Sequence, residues 1–275
     1  MAVIESSVVS FDGTPIWFSD TGGAGPIVVL LHGATMTSIS NFETRFGLGD
    51  DRRIGPVSGR TLASALREAG ARVVCVDARG HGRSGRSCDP GRYGGDSHAK
   101  DVQVVIETLG SDHVDVVGYS MGAMTAARLL GIESRLRSVA LCGTGLRHVH
   151  GHADELLSRL ADVGRCFQSN DWADHPEHKS YRAFARLDPI HDFESIGAAL
   201  LGLEAAPVNR LSAATAAVSV LNGGGDNPND DAAKLAAMIP GAVDATRGSA
   251  DHGLACSDDD FQVAVVSFLR ERWPS

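Results

Sequence analysis

The chain is predicted to be an α/β domain with a mostly parallel, doubly wound sheet of about eight strands. Residues 27–31, 72–76 and 217–221 are almost entirely apolar, as expected for strands that helices cover on both faces. Amphipathic stretches of helix length separate these runs, and strands that alternate with helices pair in parallel. A length of 275 residues is enough for one large domain with a substantial core.

Local signals place the individual elements. Residues 8–11 and 15–18 flank the pair Asp12-Gly13, which predicts a β-hairpin. A helix over 60–69 ends at Gly70, because glycine readily takes the left-handed conformation that closes many helices. The predicted strands are 8–11, 15–18, 27–31, 72–76, 113–117, 136–142, 217–221 and a short one near Val243. The predicted helices are 60–69, 97–109, 123–130, 230–238 and 258–270.

Two segments depart from this alternation. Residues 34–60 form an unusually long link that is rich in Gly, Asp and Arg at 47–53, which predicts a surface loop that adds to a pocket wall. Residues 143–212 are polar and helical in patches, and they predict a small helical cap inserted into a core made of 1–142 and 213–275. Four aromatic residues of this cap either form its own core or line a pocket, and both interpretations stay open: Phe167, Trp172, Tyr181 and Phe184.

Composition excludes several classes of partner. The formal net charge of −9 disfavours nucleic acid and anionic membrane surfaces, because both would repel the chain. No apolar run approaches the roughly twenty residues that a membrane span needs. The five cysteines are scattered without a C-x-x-C pair, which favours a reducing compartment and argues against structural zinc. The first residues lack the features of a signal peptide, so a cytoplasmic location is expected.

The motif Gly118-Tyr119-Ser120-Met121-Gly122 is the strongest chemical signal in the chain. An apolar run of strand length precedes it and a run of good helix formers follows it. A serine between two glycines at a strand-to-helix junction predicts a nucleophile elbow, a tight turn that exposes the hydroxyl at the carboxyl end of the sheet. Ser120 is therefore the candidate catalytic nucleophile.

A serine nucleophile needs a base, and the base needs a carboxylate that fixes its tautomer. Loops at the carboxyl ends of other strands must supply both groups. Asp226 follows the strand at 217–221, and His252 lies in the last loop of this kind, where Ser257 is expected to cap the following helix. Asp251 ranks below Asp226 as the acid, because it adjoins His252 in sequence. None of the other ten histidines combines this last-loop position with a tight turn.

The oxyanion of a tetrahedral intermediate needs backbone N–H donors. The amide of Met121 begins the helix after the nucleophile, where the helix dipole favours negative charge. The second donor should come from the loop after the strand at 27–31, with Ala34 the first choice and Thr35 the next. Because the backbone donates, alanine is acceptable at this position.

Taken together, these motifs make the chain similar to the α/β-hydrolase superfamily. His32-Gly33, the segment from Asp77 to Gly85, the elbow, Asp226 and His252 carry the resemblance, which covers about residues 1–142 and 213–275. It implies an esterase-like catalytic triad of Ser120, Asp226 and His252 with an oxyanion hole at Ala34 and Met121. It also implies a structural role for the segment 77–85 and disfavours the members that use aspartate at the elbow.

The resemblance implies a hydrolase that cleaves an ester, lactone or thioester of a small or medium-sized molecule, without a cofactor. Several alternatives stay open, because they would use the same residues and pocket. They are carbon–carbon bond hydrolysis, acyl transfer, cofactor-free peracid formation and a non-enzymatic ligand receptor. Histidines 148, 150 and 152 alternate in a polar loop without supporting carboxylates, so no metal site is expected there. Substrate identity and oligomeric state are not predicted.

Overall fold

In a computed structural model, the described residues are 3–48, 54–226 and 231–274. The strands are β1 (Ile4–Val9), β2 (Pro15–Asp20), β3 (Ile27–Leu31), β4 (Phe46–Leu48), β5 (Ile54–Pro56), β6 (Arg72–Val76), β7 (Val114–Tyr119), β8 (Leu136–Cys142), β9 (Ala217–Leu221) and β10 (Val243–Asp244). The helices are α1 (Leu62–Glu68), α2 (Ser97–Leu109), α3 (Met121–Leu129), α4 (Asp154–Ser169), α5 (Lys179–Ala185), α6 (Phe193–Gly202), α7 (Val208–Ser212), α8 (Ala232–Ala237) and α9 (Asp259–Arg270).

Eight of the strands form one sheet in the order β1-β2-β6-β3-β7-β8-β9-β10. β1 and β2 form the predicted hairpin, with Val9 opposite Pro15, and β2 pairs antiparallel with β6. Every other pairing in this sheet is parallel. The predicted eight-stranded, mostly parallel sheet is therefore confirmed.

Helices cover both faces of the sheet, as its apolar strands require. Alternate residues of β3 point to opposite faces: Val28 and Leu30 belong to a cluster with α1 and α9, whereas Val29 and Leu31 pack with α2, α3 and α8. Both clusters are almost completely buried. The sheet can therefore hold the loops at its carboxyl edge in fixed positions.

The chain between β8 and β9 folds as four helices, here called the α4–α7 segment. Leu156, Leu160 and Val163 of α4 pack with residues of α6 in a small apolar cluster of their own. Gly164 of α4 lies against Gly197 of α6 so closely that a Cβ at either position would meet the other backbone oxygen at 2.7–2.8 Å. Within the described residues the segment contains no strand, only an isolated bridge between Val149 and Ala206.

The link at 34–60 differs from the predicted surface loop. It contains a π-helical turn at Ile39–Glu43 and the antiparallel pair β4–β5, and the Phe42 side chain is fully buried. The buried face of this turn packs against α1, which a solvated loop would not do. Residues 49–53, the centre of the predicted Gly-, Asp- and Arg-rich loop, lie outside the described residues. So does residue 230, the predicted start of the helix before β10.

The start of the last helix requires a correction. Asp258, not Ser257, is the N-cap of α9, because its carboxylate accepts a hydrogen bond from the Phe261 N–H at 2.9 Å. The Ser257 hydroxyl instead accepts from the Phe46 N–H at 2.9 Å and so fastens β4 to this loop. No helix among the described residues combines the length and apolar character needed to cross a membrane.

Candidate active site

Ser120 lies at a strained turn between β7 and α3. Its backbone has φ 53° and ψ −111°, a conformation that non-glycine residues rarely adopt. The turn is this tight because glycine flanks it: a Cβ at Gly118 would lie 2.2 Å from the Gly122 oxygen, and one at Gly122 would lie 2.0 Å from the Leu31 oxygen. The two glycines thus let β3, β7 and α3 approach closely enough to present the serine side chain.

The structure brings Ser120, His252 and Asp226 together. The His252 Nε2 lies 3.1 Å from the Ser120 Oγ, and the His252 Nδ1 lies 2.9 Å from an Asp226 carboxylate oxygen. The Asp226 side chain is fully buried, whereas 38% of the histidine side chain is exposed. This arrangement puts a proton acceptor beside the hydroxyl and a buried negative charge behind the imidazole.

Glycines also bring the acid and histidine loops into contact. A Cβ at Gly223 or Gly225 would lie 2.2–2.5 Å from the backbone oxygens of Ala250 and Ser249. The Gly225 N–H donates to the Ala250 carbonyl at 3.1 Å. Backbone therefore packs on backbone between these loops, and Asp226 comes within reach of a histidine that is 26 residues distant in sequence.

The histidine is also held from the side of the elbow. The Tyr119 hydroxyl donates to the His252 carbonyl oxygen at 2.5 Å, and the two rings lie 5.3 Å apart. Burial raises the pKa of the Tyr119 phenol well above its usual value, so the phenol remains a donor. Sequence reasoning missed this contact, because Tyr119 occupies the variable position of the serine motif.

The predicted oxyanion donors Ala34 and Met121 line the same cavity as Ser120. The loop that carries Ala34 is anchored by Asn41, whose carboxamide oxygen accepts from the Gly33 N–H at 2.8 Å. His32 is buried, and its Nδ1 and Nε2 lie 2.8 Å from the Gly33 carbonyl and 2.9 Å from the Ala78 N–H. Sequence reasoning missed Asn41, which comes from the long link before α1.

The cavity has a volume of about 560 Å³, and two walls enclose it. The elbow, the loop after β3 and the histidine loop form one wall. The α4–α7 segment forms the other, and Phe184 from it approaches Gly253 so closely that a Cβ there would lie 2.6 Å from the ring. Tyr181 and Phe184 line the cavity, whereas Phe167 and Trp172 are buried against each other in the cluster of α4. Phe184 thus fits the pocket interpretation and Phe167 and Trp172 fit the core interpretation, whereas Tyr181 fits both, because it also packs against the cluster of α4.

Two other carboxylates are engaged elsewhere. Asp251 accepts from the N–H groups of Gly253 and Leu254 and so stabilises the turn beside His252. Asp115 is buried in β7, where it accepts from Ser138 at 2.6 Å and from the Trp273 indole N–H at 2.7 Å. Of these three carboxylates, Asp226 is the one that lies within hydrogen-bond distance of the His252 ring, at 2.9 Å from the Nδ1.

The segment from Asp77 to Gly85 folds beside the site as a hydrogen-bonded loop. Asp77 accepts from the Ser38 N–H at 2.9 Å and from the Arg83 N–H at 3.0 Å. The buried Arg79 guanidinium pairs with Asp101 at 2.6 Å. His81 is fully buried, and burial holds its pKa well below the usual value. Each of these side chains supports the loop.

The alternating histidines of the α4–α7 segment do not form a cluster. His148 is buried, and its Nδ1 accepts from the Gly145 N–H at 3.2 Å, whereas residues 150 and 152 are exposed. Burial lowers the pKa of His148 to about 3. A different group, His175, Glu177 and His178, places its potential ligand atoms within 4.8 Å of one another.

Comparison with known proteins relates both the sequence and the fold to proteins of described activity. A family model described as "alpha/beta hydrolase fold" matches residues 26–185. A 2-hydroxy-6-oxononadienedioate/2-hydroxy-6-oxononatrienedioate hydrolase from Burkholderia vietnamiensis is 31% identical over 139 residues, which are 49% of this chain and 42% of that protein. The match thus spans less than half the length of the curated relative.

Solved structures share the fold over nearly the whole chain. An esterase from Exiguobacterium antarcticum is 22% identical, with a TM-score of 0.72 over 97% of this chain and 100% of the esterase. A bottromycin epimerase is 18% identical, with a TM-score of 0.67 over 98% of each chain. At these identities the likeness establishes the fold alone, and this fold carries more than one activity.

Proposed function

Because the chain belongs to the α/β hydrolase family, we propose that it is a serine hydrolase that cleaves a carboxylic ester, lactone or thioester of a small or medium-sized molecule. The observation that carries the proposal is the hydrogen-bonded series from the Ser120 Oγ through the His252 imidazole to the buried Asp226, with heavy-atom distances of 3.1 and 2.9 Å. The strained backbone of Ser120 supports it, since such strain persists where function requires it.

In the proposed reaction, the His252 Nε2 removes the Ser120 proton while the oxygen attacks the substrate carbonyl carbon. The N–H groups of Ala34 and Met121 then stabilise the negative oxygen of the tetrahedral intermediate. The imidazolium returns the proton to the leaving alcohol, and the acyl-enzyme remains. Water, deprotonated by the same nitrogen, attacks this ester and releases the acid and Ser120. Asp226 stabilises the imidazolium in both halves of the reaction.

We also propose that residues 143–212 act as a cap over a core made of 1–142 and 213–275. The cavity between the elbow and this segment supports the division. The five scattered cysteines support a cytoplasmic location, and the net charge of −9 supports a small molecule, not nucleic acid or a membrane surface, as the partner.

Turnover of p-nitrophenyl esters of increasing chain length, together with labelling by a fluorophosphonate probe, tests the function. We expect saturable turnover and labelling of the wild-type protein, both lost in Ser120→Ala. If the wild type neither labels nor cleaves any ester of a broad panel, the esterase proposal fails and a ligand receptor becomes the better interpretation.

Carbon–carbon bond hydrolysis is the second candidate, and the 31% identity to a hydrolase named for oxo-dienedioates favours it. The same serine, histidine and aspartate serve both reactions. A dienoate that is a vinylogous 1,5-diketone separates the candidates. Cleavage of its carbon–carbon bond is measured as loss of the visible absorbance of the compound. Cleavage of this compound with a kcat/KM well above that of every ester would replace ester hydrolysis as the conclusion.

A further inference from the structure

The face of α4 that points inward carries one charged residue. Leu156, Leu160 and Val163 are buried and recur at helical spacing, so they define the apolar face of this helix. Arg159 lies three residues after Leu156 and four before Val163, on the same face. Leu156, Arg159 and Leu160 all line the cavity that contains Ser120.

One nitrogen of the Arg159 guanidinium is buried without an acceptor. Its Nε is buried and has no hydrogen-bond partner among the described residues. A desolvated guanidinium nitrogen without an acceptor is costly, and the cost disappears when an anion supplies the acceptor. Arg165 on the outer face of the same helix differs, because it pairs with Asp162 in solvent.

The carboxylates that line the same cavity already have partners. Glu177 lies 3.4 Å from the His175 Nδ1 and 3.5 Å from the His178 Nε2. Asp251 accepts two backbone hydrogen bonds in the turn beside the histidine loop. A molecule bound in the cavity can supply the missing acceptor, and a volume of about 560 Å³ leaves room for one that also reaches Ser120.

We propose that Arg159 is a specificity determinant that pairs with a carboxylate of the substrate, remote from the bond that is cleaved. A guanidinium presents a planar pair of donors that fits a carboxylate with two parallel hydrogen bonds. The substrate is accordingly an anionic ester or a carbonyl compound of the same charge. This inference rests on the proposed function, because it names the substrate class of the same site.

Two pairs of matched esters test it, since the carboxylate lies either on the acyl side or on the alcohol side. The first pair is mono-p-nitrophenyl adipate and p-nitrophenyl hexanoate. The second is 4-(butanoyloxy)benzoate and its methyl ester. For each pair, the ratio of kcat/KM for the anionic ester to that for the neutral ester is measured after subtraction of the uncatalysed rate.

In Arg159→Met, we expect this ratio to fall roughly 10- to 100-fold for at least one pair, because a hydrogen bond to a charged group is lost. Arg159→Lys should keep part of the preference, since it retains the charge without the planar pair of donors. Arg165→Met is the matched control on the outer face of α4 and should leave the ratio unchanged. A ratio that Arg159→Met leaves unchanged for both pairs overturns the proposal.

Binding separates this inference from the proposed function. Calorimetry with Ser120→Ala measures the affinity of the same anionic and neutral esters without turnover. If the wild type cleaves no ester, but Ser120→Ala binds an anionic ester that the Ser120→Ala/Arg159→Met double variant binds at least tenfold more weakly, the esterase function fails and the carboxylate site stands. Equal binding by the single and double variants refutes the site.

Discussion

The two walls of the cavity are constrained in different ways. At the elbow, backbone packs on backbone, so that a Cβ at Gly118 or Gly122 would lie about 2 Å from a carbonyl oxygen. The α4–α7 segment combines a looser backbone contact, where a Cβ at Gly164 would lie 2.8 Å from the Gly197 oxygen, with side-chain contacts such as that between Phe167 and Trp172, whose rings lie 4.8 Å apart. Backbone contacts admit one residue type, whereas side-chain contacts admit many of similar volume. The elbow therefore carries a recognisable sequence motif, whereas the side-chain packing of the α4–α7 segment does not.

The largest expected effect is the loss of kcat/KM when the reacting groups, which all belong to the first wall, are removed. We expect Ser120→Ala and His252→Ala to lower kcat/KM by on the order of a thousandfold or more, because each removes a group that acts in every step. Asp226→Asn should also be severe. Steady-state kinetics on an ester that the wild type cleaves provides the measurement, and unchanged circular dichroism spectra serve as the control for folding. Full activity of Asp226→Asn, together with loss in Asp251→Asn or Asp115→Asn, would contradict the assignment of the acid.

The elbow should also tolerate an added methyl group poorly. Gly122→Ala places a Cβ 2.0 Å from the Leu31 oxygen, and neither β3 nor α3 can yield without disturbing the core. We expect the free energy of unfolding to fall by about 3 kcal/mol or more, as measured by urea denaturation. Gly55→Ala, where a Cβ meets nothing within 4 Å, is the control and should stay within about 0.5 kcal/mol of the wild type. Equal stability of both variants would show that the close approach is not a constraint.

Sequence patterns predicted the elements that depend on local physics. The bounds of the strands at 27–31, 72–76, 136–142 and 217–221 agree with the structure, because each is an apolar run that ends at a glycine or polar turn. Ser120, Asp226 and His252 could be proposed from their places after strands, since parallel strands end at one edge of the sheet.

Contacts between distant parts of the chain could not be predicted. Ser257 resembles a helix cap in sequence, but it bonds to Phe46, which lies 211 residues away. The support that Asn41 gives to Gly33 depends on a turn in a link with no regular pattern. The sequence position of Arg159 on an apolar helical face was a usable signal, but only the cavity shows what that face meets.

A substitution in the second wall should affect binding more than chemistry. Gly164→Ala places a Cβ 2.8 Å from the Gly197 oxygen, so α4 must move away from α6. We expect a loss of about 1–2 kcal/mol in stability and an increase in KM with a smaller change in kcat, because the wall shifts while the elbow stays in place. Ester kinetics and thermal unfolding measure these effects, with Ser158→Ala on the exposed face of α4 as the control. A fall in kcat comparable to that of Ser120→Ala would mean that the walls are not separable.

Acid stability offers a further comparison of the two regions. Burial lowers the pKa of His98, on α2, to about 3 and that of His191, before α6, to about 4. Between these values and the ordinary histidine pKa of about 6.5, the unfolded chain binds protons that the folded chain excludes. The contribution of these histidines to the free energy of unfolding is therefore fully present above about pH 6.5. It falls as the pH decreases, by at most about 1.4 kcal/mol per pH unit for each histidine.

Replacement by glutamine separates the contributions of the two histidines. His98→Gln should make the free energy of unfolding depend less on pH between about pH 6 and 4.5. The slope should fall by about 1.4 kcal/mol per pH unit, which corresponds to one proton, because α2 unfolds with the sheet. His191→Gln should do the same only if the α4–α7 segment unfolds together with the core. If this segment opens first, its histidine is protonated before global unfolding, and hydrogen exchange near residue 191 should increase below pH 6 while exchange in β7 stays slow. Equal slopes for both variants, with no difference in exchange, would show that the two walls unfold as one unit in spite of their different packing.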